Sequence, residues 1–102
     1  MMELTDNTID AFISADTALI LLSTSWCGHC AKAMEDMRMF EKSTGVPCGW
    51  INIQRNHKTL MKYFGRGVPE FLFFSNGSVV KQVKGTGDLM EAFKQELERY
   101  VP

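Results

Sequence analysis

Residues 18–22 read Ala-Leu-Ile-Leu-Leu with no polar relief, a pattern that predicts a central strand over 18–24, covered on both faces. Upstream, Ile9, Phe12 and Ile13 recur at i, i+3 and i+4, which predicts a helix over 7–14 with Asp6 as its cap. Leu4-Thr5-Asp6 before it is too short for more than an extended or turn-like piece. Beyond Cys27, Ala33, Met37 and Phe40 share one helical face, and Gly45 and Pro47 are placed to end that helix near Ser43. A strand follows over 48–53, then Asn56 as the cap of a short helix over 57–64. Phe71-Leu72-Phe73-Phe74 marks a strand over 70–75, and Asn76-Gly77 is the signal of a type I′ hairpin returning through 78–84. Asp88 and Glu91 form a capping-box pattern ahead of a last helix over 89–100 that buries Leu89, Phe93 and Leu97. The order implies an α/β fold: a central mixed β-sheet, part parallel and part antiparallel, with helices on both faces.

Composition narrows the function more than the fold. With 102 residues the chain fits one domain, 1–102. Apolar residues at 45% against 23% charged predict a compact core rather than disorder. A net charge of −1 without a basic cluster provides no electrostatic attraction to nucleic acid or a membrane surface. The N-terminal Met1-Met2-Glu3-Leu4 has neither a basic nor an apolar leader region, and the longest apolar run is too short to span a membrane. Three cysteines are too few for a disulfide-stapled secreted scaffold. The expectation is a cytoplasmic monomer with reduced resting thiols.

The chemistry lies in Trp26-Cys27-Gly28-His29-Cys30, at the junction of the central strand and the longest helix. A helix N-terminus presents unpaired N–H groups and the positive end of the macrodipole, which favour a Cys27 thiolate. Cys30, one turn on, is within disulfide reach and faces the interior. Zinc is the competing use of C-x-x-C, but a second ligand pair is missing, and Cys48 and His57 lie on elements the fold would hold apart. Cys48 reads as a small buried hydrophobe in a strand, and His57 as a surface residue.

Taken with Gly67-Val68-Pro69, the Asn76-Gly77 hairpin, Gly85 and the element order, this motif resembles the thioredoxin family along almost the whole chain. The resemblance implies a thiol–disulfide oxidoreductase in which Cys27 is the nucleophile and Cys30 the resolving thiol. It implies a cis peptide before Pro69, and a substrate-binding collar of Trp26, Gly67, Val68, Pro69 and Gly85. The redox disulfide itself would be the only cofactor, with no metal. Disulfide-containing proteins would be the substrates, and a reductase or glutathione would recycle the pair. It also implies that the family's first edge strand is vestigial here.

Three positions depart from the family pattern. Gly28-His29 is the pair of protein disulfide isomerases, and an imidazole beside Cys27 stabilises its thiolate and makes the disulfide a better oxidant. Leu21 stands where the family carries a buried carboxylate, and Trp50 where it carries that carboxylate's lysine partner. Glu70 follows Pro69 and is expected near the sulfurs, where it would oppose the thiolate, accept a proton or select cationic substrates. The loss of the carboxylate also supports a different class of function, a binding module that docks a partner protein with redox chemistry secondary. A glutaredoxin-like enzyme using glutathione fits less well, because Trp26 precedes the first cysteine and the hairpin is thioredoxin-like.

Overall fold

The computed structural model describes residues 1–25, 27–85 and 87–102. The strands are β1 (Met2–Leu4), β2 (Thr17–Ser23), β3 (Cys48–Asn52), β4 (Glu70–Ser75) and β5 (Ser78–Lys84). The helices are α1 (Ile9–Ile13), α2 (Cys30–Thr44), α3 (His57–Tyr63), α4 (Leu89–Ala92) and α5 (Lys94–Tyr100). They build a five-stranded sheet in the order β1-β3-β2-β4-β5. β3 runs parallel to β1 and β2, whereas β4 is antiparallel to both β2 and β5. This is the mixed sheet with helices on both faces that the hydrophobic pattern implies.

β2 lies at the middle of the sheet and is buried at every position, as an apolar run without alternation requires. Its side chains divide between two cores. Leu19 and Leu21 pack with Ala33, Met37 and Phe40 of α2, with Phe71 and Phe73 of β4, and with Leu89 and Phe93. Ala18, Ile20 and Leu22 pack on the opposite face with Leu72 and Phe74 of β4, Ile51 of β3, and Ile9 and Ile13 of α1. Fully burying one such phenylalanine or leucine contributes about 1.5–3 kcal/mol, so the paired cores fix the register of β2 against β4 tightly. A one-residue slip would exchange the two faces.

Four local expectations need adjustment. β1 does form: three residues pair with Gly49, Trp50 and Ile51 of β3. The last helix is kinked at Phe93 (φ −111°, ψ 21°) rather than continuous. Hydrogen bonds run through the kink, from the Phe93 amide to Leu89 O (3.0 Å) and from the Leu97 amide to Phe93 O (2.8 Å). The Phe93 ring is seated between Phe40 and Phe73, at centroid distances of 6.2 and 5.6 Å. Asp88 caps α4 by accepting from the Met90 and Glu91 amides, and among the described residues Glu91 returns no bond.

The fourth adjustment is an exchange of caps across the sequence. Asp6 does not cap α1, whose N-cap is Thr8. Its carboxylate instead accepts from the Lys58 and Thr59 amides (3.1 and 2.9 Å) and from the Thr59 hydroxyl (2.7 Å), at the start of α3. Asn56, placed to cap α3, instead accepts from the Asp6 amide (2.8 Å) and donates to Asn52 O (2.8 Å). Burial pushes the Asp6 carboxyl up, but the bonds from Thr59 and Lys58 outweigh it and hold the group below its ordinary value.

The Asn76-Gly77 turn is as expected, with both residues in the left-handed region (φ 50° and 83°) that a type I′ hairpin demands.

Candidate active site

The central strand leads straight into the cysteines. After Ser23, the Ile53 amide donates to Ser23 O (2.9 Å), and the Ser25 amide donates to the Gln54 side chain (2.9 Å). Asn52 completes the clamp, donating to the Ser25 hydroxyl (3.1 Å) while accepting from the Gln54 amide (2.9 Å). These polar side chains at the end of β3 set the path of the chain into the site. Sequence reasoning assigned them no such role, because their partners lie 27 and 29 residues away.

Cys27 and Cys30 are joined as a disulfide, their Cα atoms 5.3 Å apart. Their environments differ. Cys27 is half-buried in the turn before α2, while Cys30, the first residue of α2, is 8% exposed. Gly28 and His29 between them face solvent, and His29 is the N-cap of α2, with no side-chain capping bond. One sulfur therefore lies nearer the surface, and the other heads the buried stripe of Ala33, Met37 and Phe40.

The antiparallel register Leu22↔Glu70 brings the start of β4 beside the end of β2. The segment entering β4 is Gly67-Val68-Pro69, and the Val68–Pro69 peptide bond is cis. Pro69 is buried, and its carbonyl accepts from the Gly85 amide (2.8 Å), which ties the end of β5 to this segment. Gly67 has φ 147°, a conformation that side chains other than glycine rarely adopt. Among the described residues, neither the amide nor the carbonyl of Val68 has a hydrogen-bond partner, while its half-buried side chain packs on the α1/α3 core. The fold thus gathers Cys27, Gly28, His29, Cys30, Gly67, Val68, Pro69 and Gly85 toward one end of the sheet. Trp26, expected in the same collar, lies outside the described residues.

Glu70 is not where it was expected. Strand alternation aligns it with Leu72 and Phe74, on the α1/α3 face, whereas α2 and its cysteine cover the other face. It is 1% exposed, and one carboxylate oxygen accepts from the Gly65 amide (3.0 Å). The second oxygen is buried without a partner among the described residues. On β5, the Gln82 side chain donates to Tyr63 O (3.1 Å). Glu70 and Gln82 therefore hold the 63–65 backbone that leads into Gly67. Selection of cationic substrates by Glu70 is excluded by this burial, and proton exchange with Cys30 is opposed by the intervening sheet.

Leu21 is fully buried on the α2 face, with Trp50 half-buried against the same core. Among the described residues Glu70 is the only acidic residue buried as a whole, and the core cluster beneath α2 contains none. Cys48 lies in that core with its thiol donating to Val46 O (3.3 Å). Burial, reinforced by the charge of Glu41, pushes the Cys48 thiol up to about 12, so it is not a nucleophile near neutral pH. Among the described residues no group of three or more His, Cys, Asp or Glu side chains could hold a metal ion, and no helix is long and apolar enough to cross a membrane.

Comparison with known proteins agrees with this geometry. Residues 1–99 match the family model described as Thioredoxin. A thioredoxin of Buchnera aphidicola is 33% identical over 86 residues, covering 78% of this chain and 77% of that protein. A thioredoxin of Chlamydia pneumoniae is 29% identical over 80 residues, or 78% of each chain. Among solved structures, a mutant thioredoxin from Halobacterium salinarum superposes with a TM-score of 0.85 at 25% identity, covering 100% of this chain and 90% of that one. Plasmodium falciparum thioredoxin shares the fold, with a TM-score of 0.84 at 22% identity over 99% of this chain and 100% of that one. With its cysteine pair at the strand–helix junction and a family match along nearly its whole length, the chain belongs to the thioredoxin family of thiol–disulfide oxidoreductases, whose chemistry needs no cofactor beyond their own redox-active cysteines.

Proposed function

We propose that this protein reduces or exchanges disulfides of protein substrates through a Cys27/Cys30 cycle, in a reducing cytoplasmic setting. The observation that carries the reading is the unequal burial of the two cysteines, beside a cis-proline segment whose Val68 backbone groups are unpaired among the described residues. An extended substrate segment would add to Val68 as an extra strand, held by main-chain bonds. Gly67, Pro69, Gly85 and Trp26 would complete the collar.

In the reducing direction the Cys27 thiolate attacks one substrate sulfur. The substrate S–S bond breaks, a mixed disulfide forms, and the other substrate sulfur leaves as a thiolate that takes up a proton. Cys30 then loses its proton and attacks Cys27 Sγ. This re-forms the Cys27–Cys30 bond and releases the second substrate sulfur. The substrate gains two electrons and the protein loses them; a reductase or glutathione returns them. His29 and the N-terminus of α2 favour the Cys27 thiolate, and Gly28 gives the turn its small exposed link. Reduction of a protein disulfide tests the assignment. Cys27→Ser abolishes turnover, and Cys30→Ser traps a covalent mixed disulfide through Cys27. Trapping through Cys30 in the Cys27→Ser variant would reverse the roles.

A second reading is favoured by the apolar site at Leu21: a module that docks a partner protein, with redox chemistry secondary. The variant with both Cys27→Ser and Cys30→Ser separates the two, since a docking module keeps its partner and its biological effect.

A further inference from the structure

We propose that Lys84 is a specificity-determining residue that, with Arg66, favours substrate segments carrying Asp or Glu beside the reacting cysteine. The inference rests on the reading that the chain acts on extended peptide disulfides at Val68, and it names the class among them.

Lys84 ends β5, opposite Glu70 in the β4–β5 register and next to Gly85, whose amide is bonded to Pro69. Its side chain lies over Gly67: a Cβ built there would come within 3.0 Å of Lys84 Cε and 3.1 Å of Nζ. The ammonium thus sits on the backbone segment that leads to the cis-proline. It is exposed, and among the described residues it has no ion-pair or hydrogen-bond partner. The carboxylate that could have neutralised it, Glu70, is drawn away to the Gly65 amide and buried. Arg66, exposed one residue before Gly67, adds a second charge of the same sign. A lysine stem laid along backbone with its head in water is an economical way to present charge at a rim. The rim charge is therefore opposite in sign to the one that Glu70 would have supplied from the surface.

An added strand advances about 3.3 Å per residue, and at physiological salt a charge acts over a Debye length of about 8 Å, so only the flanking side chains nearest Gly67 feel this one. Exposed charge pairs act weakly, so the expected preference is about threefold in kcat/KM between acidic and basic flanks. Charge complementarity of this kind also acts on encounter rate, which makes it salt-dependent.

The experiment is single-turnover reduction by the pre-reduced protein of three disulfide-linked peptides that differ only in Asp, Ser or Lys beside the cysteine. Peptide loss is followed by chromatography at low salt and at about 0.5 M salt. The acidic peptide should react about threefold faster than the basic one, with the ratio shrinking at high salt. Lys84→Met should remove most of the ratio and Lys84→Glu should invert it. Lys42→Met, in the last turn of α2, deletes the same charge at the far end of the helix and should leave the ratio as it was. Should the Lys84 variants fail to fold, Arg66→Met reads the same ratio and should lower it. Equal rates for the three peptides, faster reaction of the basic one, or an equal effect of Lys42→Met would overturn the proposal while leaving oxidoreductase function intact. Failure to reduce any peptide would overturn the functional reading and the preference with it.

Discussion

Replacing Leu21 with Asp restores a carboxylate to the interior beneath α2, and the structure sets the size of the response. Leu21 is fully buried in the core cluster that includes Ala33, Met37, Cys48, Phe71 and Phe73, on the face of the sheet that α2 covers. The lost burial costs about 1.5–3 kcal/mol. A polar group without a partner adds about 1–3 kcal/mol, giving about 2.5–6 kcal/mol against a typical stability of about 5–15 kcal/mol. The variant should therefore melt early, and a stability above about 6 kcal/mol in the parent keeps it folded at low temperature. On the kinetic side, the core cluster around Leu21 holds no carboxylate among the described residues, so the proposed resolving step by Cys30 lacks base assistance there. Such assistance typically contributes ~10²–10⁴-fold; at the lower end of that range, resolution in the parent is on the order of 100-fold slower than with a base in place. Mixed disulfide should then dominate the quenched intermediates of the parent and fall to a minor species in Leu21→Asp. Leu21→Asn has nearly the same shape and cost but accepts no proton, so it should behave like the parent. Stopped-flow reduction of a disulfide substrate at about 15 °C, acid-quenched for mass spectrometry, measures both populations. Equal behaviour of the Asp and Asn variants, or no build-up in the parent, would refute the reasoning and make solvent the proton acceptor.

The disulfide should be more oxidising than that of thioredoxin at ~−270 mV and lie toward protein disulfide isomerase at ~−180 mV; His29→Pro should lower the potential, as read against a glutathione buffer. Cys48 should resist alkylation at about pH 8 in the reduced folded protein, since its thiol sits at about 12, with a third label appearing only in denaturant. Asp6 is held below its ordinary value of 3.8, so its contribution to stability is complete above about pH 4 and is lost as the pH falls through the folded value. Asp6→Asn should lower the Tm at neutral pH and flatten its decline in acid, leaving the slope from Glu41, also held low. Glu70→Gln should keep the bond to the Gly65 amide, replace a buried carboxylate with a neutral amide and leave turnover within about twofold, with Tm unchanged or raised; a tenfold loss of turnover would place Glu70 in the redox chemistry after all.

The elements were legible where a local signal met a matching burial demand. The apolar run of β2, the Asn76-Gly77 hairpin and the inward stripe of α2 each state in sequence what the core then uses. Cysteine spacing and the strand–helix junction located the disulfide for the same reason. What was not legible depends on pairings between distant parts. Asp6 and Asn56 each carry a valid local capping signal, yet each serves the other's neighbourhood across 50 residues. Glu70 begins a strand whose following residues are apolar on both faces, so no alternation revealed which way its carboxylate turns. Lys84 reads as an ordinary strand-end lysine until the register sets it over Gly67.

The antiparallel junction of β2 and β4 carries a consequence for how the activity can be divided. The cysteines follow β2 in the first half of the chain, and the cis-proline precedes β4 in the second. A cut in the link between β3 and α3 yields one fragment bearing the sulfurs and another bearing the cis-proline segment, neither holding both. The two pieces are complementary along the β2 edge: Leu19 and Leu21 keep α2 but lose Phe71 and Phe73, while Ala18, Ile20 and Leu22 keep α1 and β3 but lose Leu72 and Phe74. Redox turnover on mixing would then report the meeting of the two pieces, so this small sheet has the layout of a split reporter, with disulfide exchange as its signal.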